Sequence, residues 1–394
     1  MKILVIAPQP FFTPRGTPFS VYYRTLVTSQ LDNNIDLLTY GQGKDVAIPN
    51  LRIIRIPGFS KFGTIKVGPS AYKLFLDVFM VAYATGLLLT NSYDVVHAHE
   101  EAVFFCRFLK PIFRFKLVYD MHSSLPQQLT NFEFTKSKLL IRMFKFLEDS
   151  CLKKADAIIT ICPDLAGYVG KLLNNPKKHF LIENSIFEPI RLKSIDDNTD
   201  ITTDNTCPLA GSNPYIIYAG TLEAYQGIDI LIPAFKIFQA QHPDYRLVIV
   251  GGNAKQVQLY KNLAQEVGIT DSCIFTGQVS QAEAKQYCSC ASILVSPRKS
   301  GTNTPLKVYE QIASGIPLVA TRIYSHTQVL DDNVAFLVDP SPESMAEGLA
   351  AATKEDGRDK AENAKSLYVE KYSRDAYLEK MQNLFGHLQS HPRV

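Results

Sequence analysis

The chain has 394 residues, of which 46% are hydrophobic and 20% are charged. These values are typical of a globular protein, and the length predicts two domains that can each bury a core. The net charge of +3 is too small to indicate a nucleic-acid partner, and no nucleic-acid-binding motif accompanies it.

The amino terminus begins an alternation of short apolar runs and longer amphipathic stretches. The first run, residues 2–7, ends at Pro8 and is too short for the apolar region of a signal peptide, so it predicts a buried strand. Similar runs follow at residues 94–98, 116–120, 157–161, 215–219, 246–251, 293–297 and 317–321. This rhythm is typical of βαβ units and predicts an α/β fold with two doubly wound, Rossmann-like domains that face each other across a cleft.

The pattern breaks once, between residues 190 and 213, where Asp, Asn, Thr, Ser and Gly replace the periodic residues. We interpret this segment as an interdomain linker or insertion. The predicted units are therefore a first domain at 1–189, the linker at 190–213, a second domain at 214–371, and a C-terminal helix and tail at 372–394. The apolar residues of that last helix have helical spacing, and the helix can pack on either domain.

Two further features concern cellular location. The uncharged stretch at residues 78–93 is shorter than the roughly 18–20 residues that a membrane-spanning helix needs, so it predicts a buried or interfacial helix. Seven cysteines give an odd count without metal-type spacing, which predicts neither a disulfide framework nor a zinc site. We therefore expect a cytoplasmic protein.

Each predicted domain has a glycine-containing turn after its first strand. Gly16 and Thr17 precede an amphipathic helix in the first domain, while Gly220 and Gly227 flank the corresponding turn in the second. Each glycine is either a turn former or a place where the backbone approaches a ligand. Neither turn fits GxGxxG, which disfavours a dinucleotide-dependent dehydrogenase.

Three histidines lie at predicted strand ends of the first domain. His99 and His122 would line the ligand crevice, because the carboxyl ends of parallel strands form it, although each could equally be a hydrogen-bonded structural residue. His97 is expected to point into the core. A metal site could be assembled on paper from His97, His99, Glu100 and His122, but we predict no metal.

The stretch SGTNTPLKVYEQIASGIPLVAT, residues 300–321, predicts a polar loop, a helix and a buried strand. Thr304 is the expected N-cap and Pro305 the expected first helical residue, so the free N–H groups of the first turn would face an anion. Glu310, further along the helix, would meet a ribose. An ordinary capped helix is the alternative interpretation.

Over nearly its whole length the chain resembles a retaining glycosyltransferase of the GT-B fold, family 4, known as glycosyl transferases group 1. The segments that carry the resemblance are PRGTPFS, DVVHAH, VYDMHS, ADAIITIC, LIENSIFEP, YAGTLEAYQGID, RLVIVGG, IFTGQVS, residues 300–321 and VAFLVDP. The resemblance implies an acceptor on the first domain, a nucleotide-sugar donor on the second and a last helix that crosses back to the first.

The resemblance also implies roles for individual residues. Glu310 matches the second Glu of the E-x7-E motif and would bind the ribose, but the first Glu falls on Thr302. Thr302, Asn303 and Thr304 could still bind sugar hydroxyls or a phosphate. The remaining matches are His122, near the donor sugar and scissile bond; Gly16 and Thr17, at the diphosphate; and Gln278 and Val279, at the base. Thr17 and His99 are also the candidates for the acceptor side.

A second departure concerns the charge of the diphosphate. Many members carry Arg directly after the strand glycine and Lys before the helix glycine, but Thr221 and Gln226 occupy these positions. Because leaving-group charge must be stabilised as the bond breaks, we expect substitutes: Lys307 first and Arg298 second. Lys299 is expected to be a solvated surface charge.

The sequence thus predicts a metal-independent enzyme of glycan biosynthesis that transfers a sugar from a nucleotide-diphosphate donor with retention of configuration. The alternatives are a non-catalytic partner of a glycan assembly complex and a GT-B nucleotide-sugar epimerase. Basic and aromatic residues alternate at 107–116 and 136–146. These stretches would either hold the first domain on an anionic membrane, which suits a lipid-linked acceptor, or form core-packing helices.

Overall fold

The structure is a computed structural model that describes residues 1–13, 16–58, 70–126, 137–173, 175–184, 190, 208–209 and 213–390. The chain divides into two compact units. Unit 1 comprises Met1–Thr199 and Arg374–Val394, and unit 2 comprises Asp200–Ser373. The predicted linker at 190–213 lies almost entirely outside the described residues.

Unit 1 contains a seven-stranded parallel sheet in the order β3-β2-β1-β4-β5-β6-β7. Its central strands are buried on both faces, which explains why their sequences are continuous apolar runs. The strands are β1 Lys2–Ala7, β2 Asn34–Thr39, β3 Leu51–Arg55, β4 Val95–His99, β5 Lys116–Met121, β6 Ala157–Thr160 and β7 His179–Leu181.

Helices cover both faces of this sheet. Side chains of α2, α3, α4 and α5 share one core with the strands, whereas α1 packs against the C-terminal helix α13. The predicted helical spacing near the C terminus is confirmed, because Tyr377, Met381, Leu384 and Phe385 are buried in unit 1. The helices are α1 Gly16–Gln30, α2 Ala71–Thr90, α3 Ala102–Phe113, α4 Lys138–Lys154, α5 Pro163–Leu172 and α13 Arg374–Ser390.

Unit 2 contains a six-stranded parallel sheet in the order β10-β9-β8-β11-β12-β13. Its strands are β8 Tyr215–Ala219, β9 Arg246–Val250, β10 Cys273–Gly277, β11 Ile293–Ser296, β12 Leu318–Thr321 and β13 Phe336–Val338. Its helices are α6 Ile228–Gln239, α7 Ala254–Glu266, α8 Gln281–Ser289, α9 Leu306–Ala313, α10 Tyr324–Thr327, α11 Pro342–Ala352 and α12 Glu355–Lys371. The predicted pair of doubly wound Rossmann-like units is confirmed.

Two local predictions differ from the structure. The helix expected to start at Pro305 starts at Leu306: Pro305 is extended, with ψ 137°, and no side chain caps the helix. The apolar stretch expected to be too short to cross a membrane lies in α2, which has 20 residues, of which Leu76, Met80, Ala84 and Leu88 are buried. Among the described residues, α2 is the one helix whose length and composition would suffice to cross a membrane.

Candidate functional site

In unit 2 the candidate donor-binding residues gather at the topological switch point of the sheet. The chain enters at β8, adds β9 and β10 on one side, and then returns to add β11 on the other. Because ligands of open α/β sheets bind at the carboxyl ends of the strands where the order reverses, the loops after β8 and β11 form the expected crevice. Gly220 and Thr221 follow β8, and Arg298 follows β11.

The two loops touch each other at a glycine. Gly227 has φ 77°, and a Cβ atom at this position would lie 1.8 Å from the Pro297 carbonyl oxygen. Any larger residue would therefore force the loops apart. This contact brings the segment after β8 beside Arg298.

Lys307 extends from the first turn of α9 into this crevice. Its Nζ lies 3.4 Å from Gln226 Oε1 and 4.0 Å from the centroid of the Tyr218 ring. Gln226 Nε2 in turn lies 3.4 Å from Thr221 Oγ1. The ammonium of Lys307 thus lies among the side chains at the two positions where the expected cations are missing.

Lys307 and Arg298 form a site of unopposed positive charge. Desolvation, followed by repulsion from Arg298, lowers the pKa of Lys307 to about 7. Desolvation also lowers the pKa of Arg298, whose guanidinium lies 5.1 Å from the Tyr225 ring centroid. Within the part of the chain that the structure describes, neither cation forms an ion pair with a carboxylate. The arrangement is suited to an anion.

Lys299 differs from Lys307 and Arg298 because it forms an ion pair with a carboxylate. Its Nζ lies 2.8 Å from an Asp229 carboxylate oxygen, and both side chains are exposed to solvent. Its charge is therefore already balanced, in agreement with the expectation of a surface residue.

The loop before α9 offers polar groups of several kinds. Thr302 is exposed and its carbonyl oxygen accepts a hydrogen bond from Gln328, while Asn303 and Thr304 are half-buried. The Thr304 hydroxyl is buried without a hydrogen-bond partner among the described residues. No side chain caps α9, and the Val308 N–H donates to the Pro305 carbonyl oxygen at 3.0 Å. The N–H groups of Leu306 and Lys307 have no hydrogen-bond partner among the described residues and remain available to a ligand.

Glu310 lies one turn further along α9. The residue is exposed, yet partial desolvation of its carboxyl raises its pKa against the opposing effect of Lys285. Gln278 and Val279 follow β10; Gln278 is exposed, and Val279 packs on the core.

In unit 1 the corresponding switch point lies between β1 and β4. Gly16 and Thr17 start α1 after β1, with Gly16 exposed at φ 25° and open space around its Cβ position. Pro14 and Arg15, which belong to the motif that carried the resemblance, lie outside the described residues.

Two histidines of β4 and His122, which directly follows β5, meet around one carboxylate, Asp120. Its Oδ2 lies 3.0 Å from His97 Nε2 and 3.6 Å from His99 Nδ1, and its Oδ1 lies 3.3 Å from His122 Nε2. His99 Nδ1 also lies 3.1 Å from His122 Nε2. His99, expected on the acceptor side, is fully buried and contacts His122, while His122 is 4% exposed.

Arg24 balances the charge of this cluster. Its Nε donates to Asp120 Oδ2 at 2.9 Å, another guanidinium N–H donates to the Ile182 carbonyl oxygen at 2.6 Å, and a third donates to the Tyr377 hydroxyl. Burial alone would raise the pKa of Asp120, but Arg24 and the histidines hold it well below its usual range. Burial likewise keeps the pKa of His99 well below normal.

Three side chains of this cluster also have the spacing of metal ligands. The ligand atoms of His97, His99 and Asp120 lie within 4.8 Å of one another. However, the Arg24 guanidinium already occupies the position beside the carboxylate that a cation would take. The residues present therefore fit a buried ion pair better than a metal ion.

Asp120, Arg24, Tyr377 and Tyr218 were not predicted from the sequence. Asp120 had a signal, because it lies two residues before His122 and alternate residues of a strand share a face. Arg24 and Tyr377 had none, since 353 residues separate them along the chain.

Family comparisons match both units. The family described as "Glycosyl transferases group 1" matches residues 204–368, and the family described as "Glycosyltransferase Family 4" matches residues 16–186. An uncharacterized glycosyltransferase of Haemophilus influenzae is 33% identical over 108 residues, which span 27% of this chain and 30% of that protein. One subunit of the phosphatidylinositol N-acetylglucosaminyltransferase of Arabidopsis thaliana is 22% identical over 89% of this chain and 74% of its own length.

Solved structures share the whole fold. Sucrose-phosphate synthase from Thermosynechococcus elongatus superposes with a TM-score of 0.73 and 19% identity, covering 99% of both chains. Anabaena Alr3699/HepE, solved in complex with UDP, gives a TM-score of 0.69 and 16% identity, covering 99% of this chain and all of the other. These likenesses confirm the predicted GT-B fold.

Proposed function

The chain belongs to the group 1, family 4 glycosyltransferases, and we propose that it transfers a sugar from a nucleotide-diphosphate donor to an acceptor hydroxyl with retention of configuration. The observation that carries the proposal is the pair of cations, Lys307 and Arg298, which no carboxylate among the described residues balances. A diphosphate supplies the missing negative charge.

Each donor contact has a candidate residue in unit 2. Lys307 and Arg298, with the uncapped start of α9, hold the diphosphate, and Glu310 accepts hydrogen bonds from the ribose hydroxyls. The raised pKa of Glu310 fits a carboxyl that receives hydrogen bonds only once the ligand binds. The weaker candidates are Gln278 and Val279 for the base, Gly220, Thr221 and Gln226 beside the diphosphate, and Thr302, Asn303 and Thr304 for the sugar.

The proposed step exchanges two bonds at the anomeric carbon. The bond to the leaving phosphate oxygen breaks, the acceptor oxygen bonds to the same face, and the acceptor proton passes to the leaving phosphate. Lys307 and Arg298 stabilise the charge that develops on the diphosphate. His122, Gly16 and Thr17 keep the roles that the resemblance implies, near the sugar and the diphosphate. Because two side chains supply positive charge, we propose that no divalent metal is needed, and full turnover in EDTA would support this.

We propose UDP as the nucleotide, because the related Anabaena protein was solved with UDP. A thermal-shift screen of UDP-, GDP-, ADP- and dTDP-sugars tests this choice, since a specific ligand raises the melting temperature. We also propose a cytoplasmic location, which the free buried thiols of Cys106 and Cys151 support.

The decisive variant is Lys307→Ala, with Lys299→Ala as the matched control. A charge-assisted hydrogen bond contributes about 1.5–3 kcal/mol, so Lys307→Ala should weaken donor binding roughly 10- to 100-fold. Lys299→Ala removes a charge from the same loop, but Asp229 already balances that charge. The donor affinity should therefore remain nearly unchanged. Equal donor affinity in the two variants would refute the assigned site.

Product analysis separates the proposed reaction from its alternatives. Donor binding without transfer or hydrolysis across many acceptors would indicate a non-catalytic partner of a glycan assembly complex. An epimerised sugar formed without any acceptor would indicate an epimerase. A glycoside with the anomeric configuration of the donor is the expected product.

A further inference from the structure

Helix α2 carries apolar side chains on both of its faces, although the described residues cover only one of them. Leu76, Met80, Ala84 and Leu88 pack into the core of unit 1. The opposite face exposes Leu74, Phe75, Val78, Tyr83 and Leu89, of which Val78 is 67% and Leu89 72% accessible. A surface helix normally places polar residues on its outer face. The outer face of α2 therefore has the composition of a covered surface.

The two charged residues of α2 do not interrupt this outer face. Lys73 is directed to Glu101, with 3.2 Å between Nζ and Oε1, and Asp77 accepts a hydrogen bond from the Tyr40 hydroxyl at 2.6 Å. Both contacts run along the inner side of the helix, toward the rest of unit 1. An uncharged strip remains on the outside.

The next two helices of the same layer extend the strip. Helix α3 packs against both α2 and α4. Phe108 and Ile112 of α3 are exposed, as are Leu139, Met143 and Phe146 of α4. We call the outer surface of these three helices the α2–α3–α4 face. Of the fifteen large apolar side chains that are strongly exposed in the described residues, ten lie on this face, and the other five are dispersed over unit 2.

Basic residues border the apolar ones on α3 and α4. Described examples are Arg107, Arg114, Arg142, Lys145, Lys153 and Lys154. The Arg107 guanidinium lies 4.8 Å from the centroid of the Phe108 ring, so charge and aromatic surface occur side by side. Among the described residues, the acidic side chains of α4 balance only part of this charge: Glu148 is buried, and Asp149 forms an ion pair with Lys145 at 3.0 Å. Arg142 and Lys153, which are exposed, keep their charge unbalanced by α4.

We infer that the α2–α3–α4 face docks on a membrane surface that carries anionic lipids. Apolar side chains enter the interface while Arg and Lys contact the lipid phosphates. A second copy of the chain fits less well, because a twofold interface would place these basic residues against each other. Helix α2 lies along the membrane and does not span it, since its inner face remains packed on unit 1. The docking itself needs no sugar donor. Only its consequence, a lipid-linked acceptor, rests on the proposed function.

The test is flotation of the full chain with vesicles of phosphatidylcholine, alone or mixed equally with phosphatidylglycerol. The chain should float with the mixed vesicles and be released by added salt, because screening weakens surface electrostatics. The variant Val78→Glu/Leu89→Glu changes two exposed side chains, so it should fold normally and lose binding at least about tenfold. Leu259→Glu, on an equally exposed site of α7 in unit 2, is the matched control and should bind like the wild type.

A second pair of variants tests the charge. Arg142→Gln/Lys153→Gln should weaken binding to mixed vesicles about tenfold, whereas Lys255→Gln/Lys261→Gln, in exposed positions of α7, should not. Equal flotation of all variants would overturn the proposal. So would a wild-type dimer that Val78→Glu/Leu89→Glu separates while mixed vesicles bind neither form. A donor-induced thermal shift, measured without vesicles, reports on the proposed reaction independently.

Discussion

The switch points of the sheets in units 1 and 2 differ in how their charged side chains are balanced. In unit 1, the Asp120 carboxylate is buried against Arg24 and three histidines, so the protein itself supplies the partners. In unit 2, Lys307 and Arg298 lie near each other, and no carboxylate among the described residues balances them. A charge cluster that is internally balanced contributes to the fold, while one left with a single sign is prepared for a ligand.

The variant Asp120→Ala tests the balanced cluster of unit 1 and should have the largest effect. Removing one partner leaves Arg24 buried and unpaired, so we expect a loss of about 3–5 kcal/mol in the free energy of unfolding. Urea unfolding followed by far-UV circular dichroism measures this, because the chain has no Trp to report by fluorescence.

The exposed pair of Arg322 and Asp332 provides the control for that variant. Asp332→Ala should cost less than about 1 kcal/mol, because solvent screens a surface ion pair. If Asp120→Ala unfolds at the same urea concentration as Asp332→Ala, the balanced cluster of unit 1 does not contribute to the fold.

In unit 2, removing a charge should have the opposite effect on the free energy of unfolding. Lys307→Met keeps the length of the side chain and removes a desolvated ammonium that Arg298 repels. We expect stability to rise by roughly 1–2 kcal/mol, while donor affinity falls as for Lys307→Ala. A less stable Lys307→Met protein would show that the contacts of the ammonium with Gln226 and the Tyr218 ring outweigh its desolvation.

The pH dependence of donor binding sharpens the contrast. With its pKa lowered to about 7, Lys307 loses its charge as the pH rises through neutrality, so a bound diphosphate must draw a proton onto it. Donor affinity should fall about fivefold between pH 7 and pH 8. Calorimetry in buffers of different ionisation enthalpy should detect the proton uptake. Lys307→Met should abolish both effects, and an identical pH profile in that variant would assign the titration elsewhere.

The smallest expected effect concerns Glu310. Glu310→Gln should weaken UDP binding roughly three- to tenfold, as expected for about 1 kcal/mol of hydrogen bonding, and should leave pyrophosphate binding unchanged because pyrophosphate has no ribose. Competition titrations with both ligands measure the difference. A similar loss for both ligands would place Glu310 at the phosphates.

The sequence predicted the strands well because buried parallel strands are continuous apolar runs. The runs at 2–7, 215–219 and 293–297 overlap β1, β8 and β11. The predicted start of α9 was wrong by one residue, because Pro305 has an extended backbone and the buried Thr304 hydroxyl forms no hydrogen bond with the described residues. Local sequence does not encode those backbone angles.

Features that depend on distant neighbours were beyond prediction. The partnership of Arg24 with Asp120 requires α1 to pack beside β5, whose Asp120 lies 96 positions later in the chain. Likewise, the hydropathy of α2 shows how apolar the helix is, but not which face the rest of unit 1 leaves uncovered. The location of Lys307 among Thr221, Gln226 and Tyr218 could be proposed from the missing cations, while its contacts required the structure.

The contact between Arg24 and Tyr377 has a consequence for biosynthesis. Unit 1 is discontinuous: its sheet comes from the first part of the chain, but α13 comes from the end. During translation, Arg24 leaves the ribosome long before Tyr377, and all of unit 2 is synthesised between them. Unit 1, whose sheet is made first, must therefore wait for its last helix while the strands of unit 2 are made. The part of the protein that is synthesised first is therefore the last to be completed.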